Sequence, residues 1–248
     1  MAFADRDATR GRGVAAEIAA EGGKAHFVEA DVGQEAICLA FIQQALQQFG
    51  RLNVLVNNAG IRMYQTVVEA TAESWDEILS VNLKSYAYCA KGAIPAMRQA
   101  GGGSIVNVAS VRSIVAGGNN IQYDTTKHAV AGLTRGLAGD HGAEGIRVNA
   151  VCPGPIFTPF HARRLQNTGK TVAQYNEDAA SRTMLKASRY GRRGCGMHPL
   201  PGVKRRVVCH RVIIVRRWRN DRDVGSAPKR VMVSRHQMGI SVEDGTLQ

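Results

Sequence analysis

Leu52-Asn53-Val54-Leu55-Val56-Asn57-Asn58-Ala59-Gly60 decides how the chain is read. A short apolar run with β-branched residues, closed by small and turn-forming residues, reads as a buried strand entering a loop. The same grammar repeats outward from it. Ser104-Ile105-Val106-Asn107-Val108-Ala109 and Arg147-Val148-Asn149-Ala150-Val151 are further buried strands, Lys24 to Glu29 is another, and Ala2-Phe3-Ala4 reads as the end of one. Stretches of helical period separate them. Ala8 to Glu21 places Val14, Ala15, Ile18 and Ala19 on one face, and Gly22-Gly23 stops it. Gln34 to Phe49 follows, then a long helix from about Ala72 to Gln99 bent near Pro95, then Ile121 to Gly142. Strands alternating with helices imply parallel βαβ units, so the expected fold class is α/β with a doubly wound parallel sheet.

Chemistry concentrates after the Ser104 strand. Ser110 ends that run, and a hydroxyl at the C-terminal end of a parallel strand faces the crevice where open α/β sheets bind ligands. Tyr123 and Lys127 stand at i and i+4, sharing one face if the segment is helical. A free phenol has a pKa near about 10. A neighbouring ammonium favours the phenolate and moves the group toward acid/base work. A Tyr-x-x-x-Lys pair alone is better read as an ordinary helical pair, and Ser110 alone as an ordinary loop serine. The intervals of thirteen and four residues, with Asn57-Asn58-Ala59-Gly60 upstream, resemble the catalytic signature of the short-chain dehydrogenase/reductase family, classical type.

The resemblance covers about residues 1–191 and implies a Rossmann-like sheet. It implies an NAD(P)-dependent oxidoreductase interconverting a secondary alcohol and a ketone. By the family pattern Tyr123 exchanges the substrate proton and Ser110 hydrogen-bonds the substrate oxygen. Lys127 lowers the tyrosine pKa and holds the nicotinamide ribose, and Asn82 anchors a proton-relay water. For the cofactor it implies Asp5 on the adenosine ribose and Asp31-Val32 at the adenine edge. Asn58, Ala59 and Gly60 form a bare backbone approach, and Pro153, Gly154 and Thr158 contact the carboxamide. A carboxylate at Asp5 favours NAD over NADP, with Arg6 leaving room for NADP; a helix N-cap is the equal local alternative for Asp5. Substrate choice would lie in Ile61 to Thr66, Val111 to Gln122 and the segment after Thr158. Helices 72–99 and 121–142 are those through which the family forms dimers or tetramers.

Two departures shape the expectation. The family's opening strand and its Thr-Gly-x-x-x-Gly-x-Gly turn, whose amides hold the pyrophosphate, have no counterpart before Asp5. Thr9-Arg10-Gly11-Arg12-Gly13 falls inside a helix, so its glycines read as incidental. The second departure follows Gly191, where the family continues with a helix and a last strand. Here residues 191–248 hold 13 basic and 4 acidic side chains, net +9, against net +3 for residues 1–190. Codons permitted for Arg192 to Val207, read one base later, give Asp-Glu-Val-Ala-Ala-Cys-Ile-Leu-Phe-Leu-Ala-Ser-Ser-Asp-Glu, the pattern of the expected helix. Residues 192–248 are therefore expected to be an out-of-frame, poorly ordered basic tail. The fold is expected to lack the family's first strand and its last strand and helix.

The remaining composition narrows the class. The five cysteines are odd in number and form no Cys-x-x-Cys, which fits a reduced, cytoplasmic protein. No apolar stretch approaches a membrane span, and the start is no signal peptide. Cys195, His198, Cys209 and His210 are read as accidental, so no metal is expected. Two further readings stay open: a non-catalytic, truncated and frameshifted member of the family, and a basic nucleic-acid-binding protein, although the arginines of 204–219 show no nucleic-acid fold.

Overall fold

The computed structural model describes residues 1–157, 161, 162, 165, 169, 171–181, 189 and 190. The 192–248 tail and Thr158, with the expectations attached to them, lie outside the described residues. Along the chain come β1 (Ala2–Asp5), α1 (Ala8–Ala20), β2 (His26–Glu29), α2 (Glu35–Phe49), β3 (Val54–Asn57), α3 (Ala72–Leu79), a π-helical turn (Ser80–Lys84), α4 (Ser85–Gln99), β4 (Gly103–Val108), α5 (Ile121–His141), β5 (Ile146–Val151), β6 (Ile156–Phe157), α6 (Val172–Ser181) and β7 (Arg189–Tyr190). Every strand pair is parallel, so the fold is α/β of the Rossmann type. The strands form separate blocks, β1-β2, β3-β4-β5 and β6-β7, and β1 shares no ladder with β3. Among the described residues no strand lies between β1 and β3 in the hydrogen-bonded order. No described helix is long and apolar enough to cross a membrane.

The core lies on one face of β3-β4-β5. In register, Leu55, Ile105 and Val148 form one row, and α4 covers it with Ala90, Ala93 and Met97 while α5 adds Ala138. Cys38 and Ile42 of α2 join the same cluster and tie the β1-β2 block to the rest. The expectation that these strands are buried holds on that face and, on the other, at Val151 of β5. Val54 and Val56 of β3 are 56% and 55% exposed, because α4 and α5 pack on the Leu55 side and no described helix packs on theirs.

Two local readings are corrected. The buried side of α1 is Gly11, with Ala15 and Ile18 half-buried, whereas Val14 and Ala19 are exposed. Gly11 is therefore not incidental: a Cβ there would fall 2.0 Å from the Phe27 ring, so glycine is what lets α1 close on β2. The long helix is also interrupted. Ser80–Lys84 adopts the wider i→i+5 turn, a feature found preferentially at functional sites.

Candidate active site

The first turns of α5 pack against the short turn Val111–Ser113 that follows β4. Ser113 Oγ fixes that contact by donating to the Lys127 carbonyl at 2.6 Å. Ser110 caps the turn, its hydroxyl accepting the Arg112 N–H at 3.2 Å, and it stands near enough to the Tyr123 phenol to draw its pKa down. Lys127 is 4% exposed and donates from Nζ to the Val108 carbonyl at 2.8 Å. Its Nζ stands 5.7 Å from the Tyr123 ring centroid. Ser110, Tyr123 and Lys127 thus converge beyond the C-terminal end of β4.

Burial sets the charges here. It pushes the Tyr123 phenol above its ordinary value, while the Ser110 hydroxyl and the Arg62 guanidinium pull the other way. The Arg62 Cζ lies 4.8 Å from the centre of the Tyr123 ring. The sequence assigned this pull to Lys127; in the structure Ser110 and Arg62 supply it. Burial brings the Lys127 amine down to about 8.

Asn82 sits inside the π-turn, fully buried. Its Oδ1 accepts the Ile61 N–H at 2.8 Å, and its Nδ2 donates to the Ile61 carbonyl at 2.8 Å and to Thr126 Oγ1 at 3.2 Å. One side chain therefore locks the loop after Asn57-Asn58-Ala59-Gly60 onto α5. Gly60 completes the approach: a Cβ there would meet Asn82 Oδ1 at 3.4 Å and Lys127 Nζ at 3.8 Å.

Sequence reasoning missed Tyr86. Its hydroxyl lies 3.0 Å from the Ala59 carbonyl and 3.1 Å from the Val108 carbonyl, pinning the end of β3 to the end of β4. Its position four residues after Asn82 was the available signal, since i and i+4 share a helix face. A buried chain runs beneath: Asn57 Nδ2 donates to Asn107 Oδ1 at 2.9 Å, and Asn107 Nδ2 to Thr134 Oγ1 at 3.0 Å.

The residues expected at the adenosine lie apart, on the β1-β2 block. Asp5 closes β1 and accepts the Asp7 N–H at 2.9 Å; Asp7, not Asp5, is the N-cap of α1, accepting from Arg10. Asp31 accepts the Gly33 N–H at 3.0 Å in the loop after β2, and Val32 packs against the main core. Asn58 is exposed, and Pro153 and Gly154 are half-buried after β5, with the Pro153 carbonyl accepting the Val111 N–H at 3.0 Å. For a dinucleotide the nicotinamide end fits these residues: Ala59 and Gly60 expose backbone, and Lys127 supplies a buried amine beside them. Among the described residues no glycine turn at a helix N-terminus meets the pyrophosphate.

Parallel βα units with polar side chains gathered at the strand C-termini define a Rossmann-type nucleotide fold. A family model described as short chain dehydrogenase matches residues 1–169, and the chain belongs to that family of NAD(P)-dependent oxidoreductases acting on CH–OH groups. A probable galactose dehydrogenase of Rhizobium meliloti is 38% identical over 188 residues, covering 75% of this chain and 73% of its own. The D-beta-hydroxybutyrate dehydrogenase of the same organism is 32% identical over 157 residues, covering 63% and 61%. Among solved structures, L-sorbose reductase from Gluconobacter frateurii complexed with NADPH and L-sorbose matches with a TM-score of 0.72 and 26% identity, over 76% of this chain and 74% of that one.

Proposed function

We propose that this chain interconverts a secondary alcohol and a ketone, with Tyr123 as the proton-transferring group. The observation that carries the reading is the convergence of the Ser110 hydroxyl, the Tyr123 phenol and the buried Lys127 amine beside the bare backbone of Gly60. In the reductive direction Tyr123 gives its proton to the carbonyl oxygen, which Ser110 holds by a hydrogen bond; in oxidation the proton returns from the alcohol to the phenolate. A phenol raised by burial is in its acid form at neutral pH, which suits reduction. The nicotinamide cofactor, when bound, supplies or takes up the hydride. Lys127 and Gly60 would meet its ribose, Pro153, Gly154 and Thr158 its carboxamide, Asn58 and Ala59 its passage past β3, and Asp5, Asp31 and Val32 its adenosine. Asn82 keeps the Gly60 loop and α5 in register.

A carboxylate at Asp5 favours a free ribose 2′-hydroxyl and hence NAD, although L-sorbose reductase was solved with NADPH. Relatives named for a sugar and for a hydroxy acid support a small-molecule alcohol or ketone as substrate class. Assembly into a dimer or tetramer through α3, α4 and α5 belongs to the same reading, as does a cytoplasmic location. The test is absorbance-monitored reduction of NAD and NADP by a panel of secondary alcohols, with Ser110→Ala alongside. Activity of the full chain that Ser110→Ala leaves untouched would remove Ser110 from the site.

A further inference from the structure

Arg62 holds a charge for which the described residues supply no carboxylate. Its guanidinium lies between two rings, with Cζ 4.7 Å from the Tyr64 centroid and 4.8 Å from the Tyr123 centroid. Nε donates to Asn120 Oδ1 at 2.8 Å, and Asn120 is itself 5% exposed and held by its own bond to the Gly118 carbonyl. The backbone one residue earlier is clamped at both ends by Asn82. Three constraints therefore fix a side chain that is normally costly to order. The acid nearest in sequence to the reacting tyrosine does not serve it: Asp124 faces Arg112 at 4.0 Å and accepts the Gly117 N–H at 2.7 Å. Among the described residues no carboxylate pairs with Arg62. A half-buried, pre-oriented guanidinium whose Nη groups have no anionic partner is built to receive a planar oxyanion in bidentate fashion.

We propose that Arg62 is the substrate's anion receptor and that the substrate class is a hydroxy acid and its oxo acid, with the carboxylate a few bonds from the reacting carbon. This rests on the reading of Tyr123 as the reacting group, because that ring is what places Arg62 beside the substrate. Galactose-like neutral alcohols would then be poor substrates of this chain, whatever its relatives accept.

The test pairs 3-hydroxybutyrate with its neutral amide, and with the sulfonate of equal chain length, on the full chain and on Arg62→Gln and Arg62→Lys. The expected result is a ratio of kcat/KM, acid over amide, that falls about 10- to 100-fold in Arg62→Gln, mainly through KM, and is partly kept by Arg62→Lys. Saturation-transfer NMR of acetoacetate reads binding without turnover, and its signal should vanish in Arg62→Gln. A sulfonate turned over better than the carboxylate would correct the oxyanion. An unchanged acid-to-amide ratio, or acetoacetate binding equal in wild type and Arg62→Gln, overturns the proposal. Arg62-dependent acetoacetate binding with no turnover of any alcohol would keep the receptor and sink the catalytic reading instead.

Discussion

On one face of the β3-β4-β5 sheet the cross-strand row Leu55, Ile105 and Val148 is 6%, 0% and 2% exposed; on the other face the neighbouring row begins at Val54, 56% exposed. Val54 pairs across the sheet with Ser104 and Arg147, so the like-for-like comparison is within β3, between the aliphatic side chains of Leu55 and of Val54 and Val56. What differs is the cover, since α4 and α5 both pack on the first face. The covered face also carries the buried Asn57–Asn107–Thr134 chain, and Tyr86 and Lys127 reach the ends of its strands. The buried polar side chains are thus mounted on the deeply packed side. Asp5 at the end of β1 and Asp31 in the loop after β2 belong to a thinner block, since no residue of either strand is fully buried.

The sharpest way to break this comparison is at the phenol. Tyr123→Phe should lower turnover by about 10²–10⁴-fold while cofactor affinity stays within a few fold, because the hydroxyl moves the proton and contributes little to holding the dinucleotide. Steady-state kinetics with a calorimetric cofactor titration separates the two. Turnover at the wild-type level would remove Tyr123 from its role.

Next comes the covered row. Ile105→Ala should cost about 2–5 kcal/mol in urea unfolding, since a fully buried branched side chain leaves both a transfer loss and a cavity. A loss below about 1 kcal/mol would mean that the α4–α5 layer is loose.

Lys127 gives the comparison a pH signature. Its folded pKa of about 8 lies below the ordinary 10.5, so folding disfavours the charged form. That cost is fully present below pH 8. As pH rises from 8 toward 10.5 the folded state releases its proton while the unfolded state keeps it, so stability should rise, by a few kcal/mol at most. The phenols of Tyr86 and Tyr123 are raised, so their contribution is lost only as pH climbs above 10. The rise should therefore be read between pH 8 and 10, and Lys127→Met should flatten it. A wild-type curve already flat in that window would show the amine to be solvated.

Tyr86→Phe is smaller still. It leaves the Ala59 carbonyl without its phenolic donor at little change in shape, and should cost about 1–2 kcal/mol. Hydrogen exchange at the Asn58–Gly60 amides should quicken more than at α5. Equal protection in both proteins would detach Tyr86 from the loop.

Much of this was readable in the chain and some was not, for definable reasons. The strand–helix alternation and the Tyr123–Lys127 spacing are periodic, and period survives in a sequence. The π-turn around Asn82 has no period of its own, so Ala72 to Gln99 reads as one helix. Gly11 looked incidental because its partner, Phe27, is brought to it by the fold alone. The Arg62 stack likewise joins a loop to a helix more than fifty residues on, a contact no local pattern encodes. Whether an apolar strand is covered on one face or two cannot be read from Val54 and Val56 themselves. Both valines satisfy either case.

The smallest effect is the most decisive for the open face. Val54→Thr and Val56→Thr are nearly isosteric, and the added hydroxyls meet solvent where the side chains are 56% and 55% exposed. Each should change stability by no more than about 0.5 kcal/mol, the range of surface substitutions, and the pair should raise solubility by removing two exposed apolar side chains. Were that face covered by another part of the molecule or by a second copy, each hydroxyl would be buried without a partner and would cost about 1–3 kcal/mol. Urea unfolding of the double variant at two protein concentrations distinguishes these cases. A near-zero change at both concentrations keeps the face open. A loss above about 2 kcal/mol that is equal at both concentrations points to cover within the chain, and a loss that grows with concentration points to cover by a second copy. Either loss would erase the difference between the two faces from which the comparison starts.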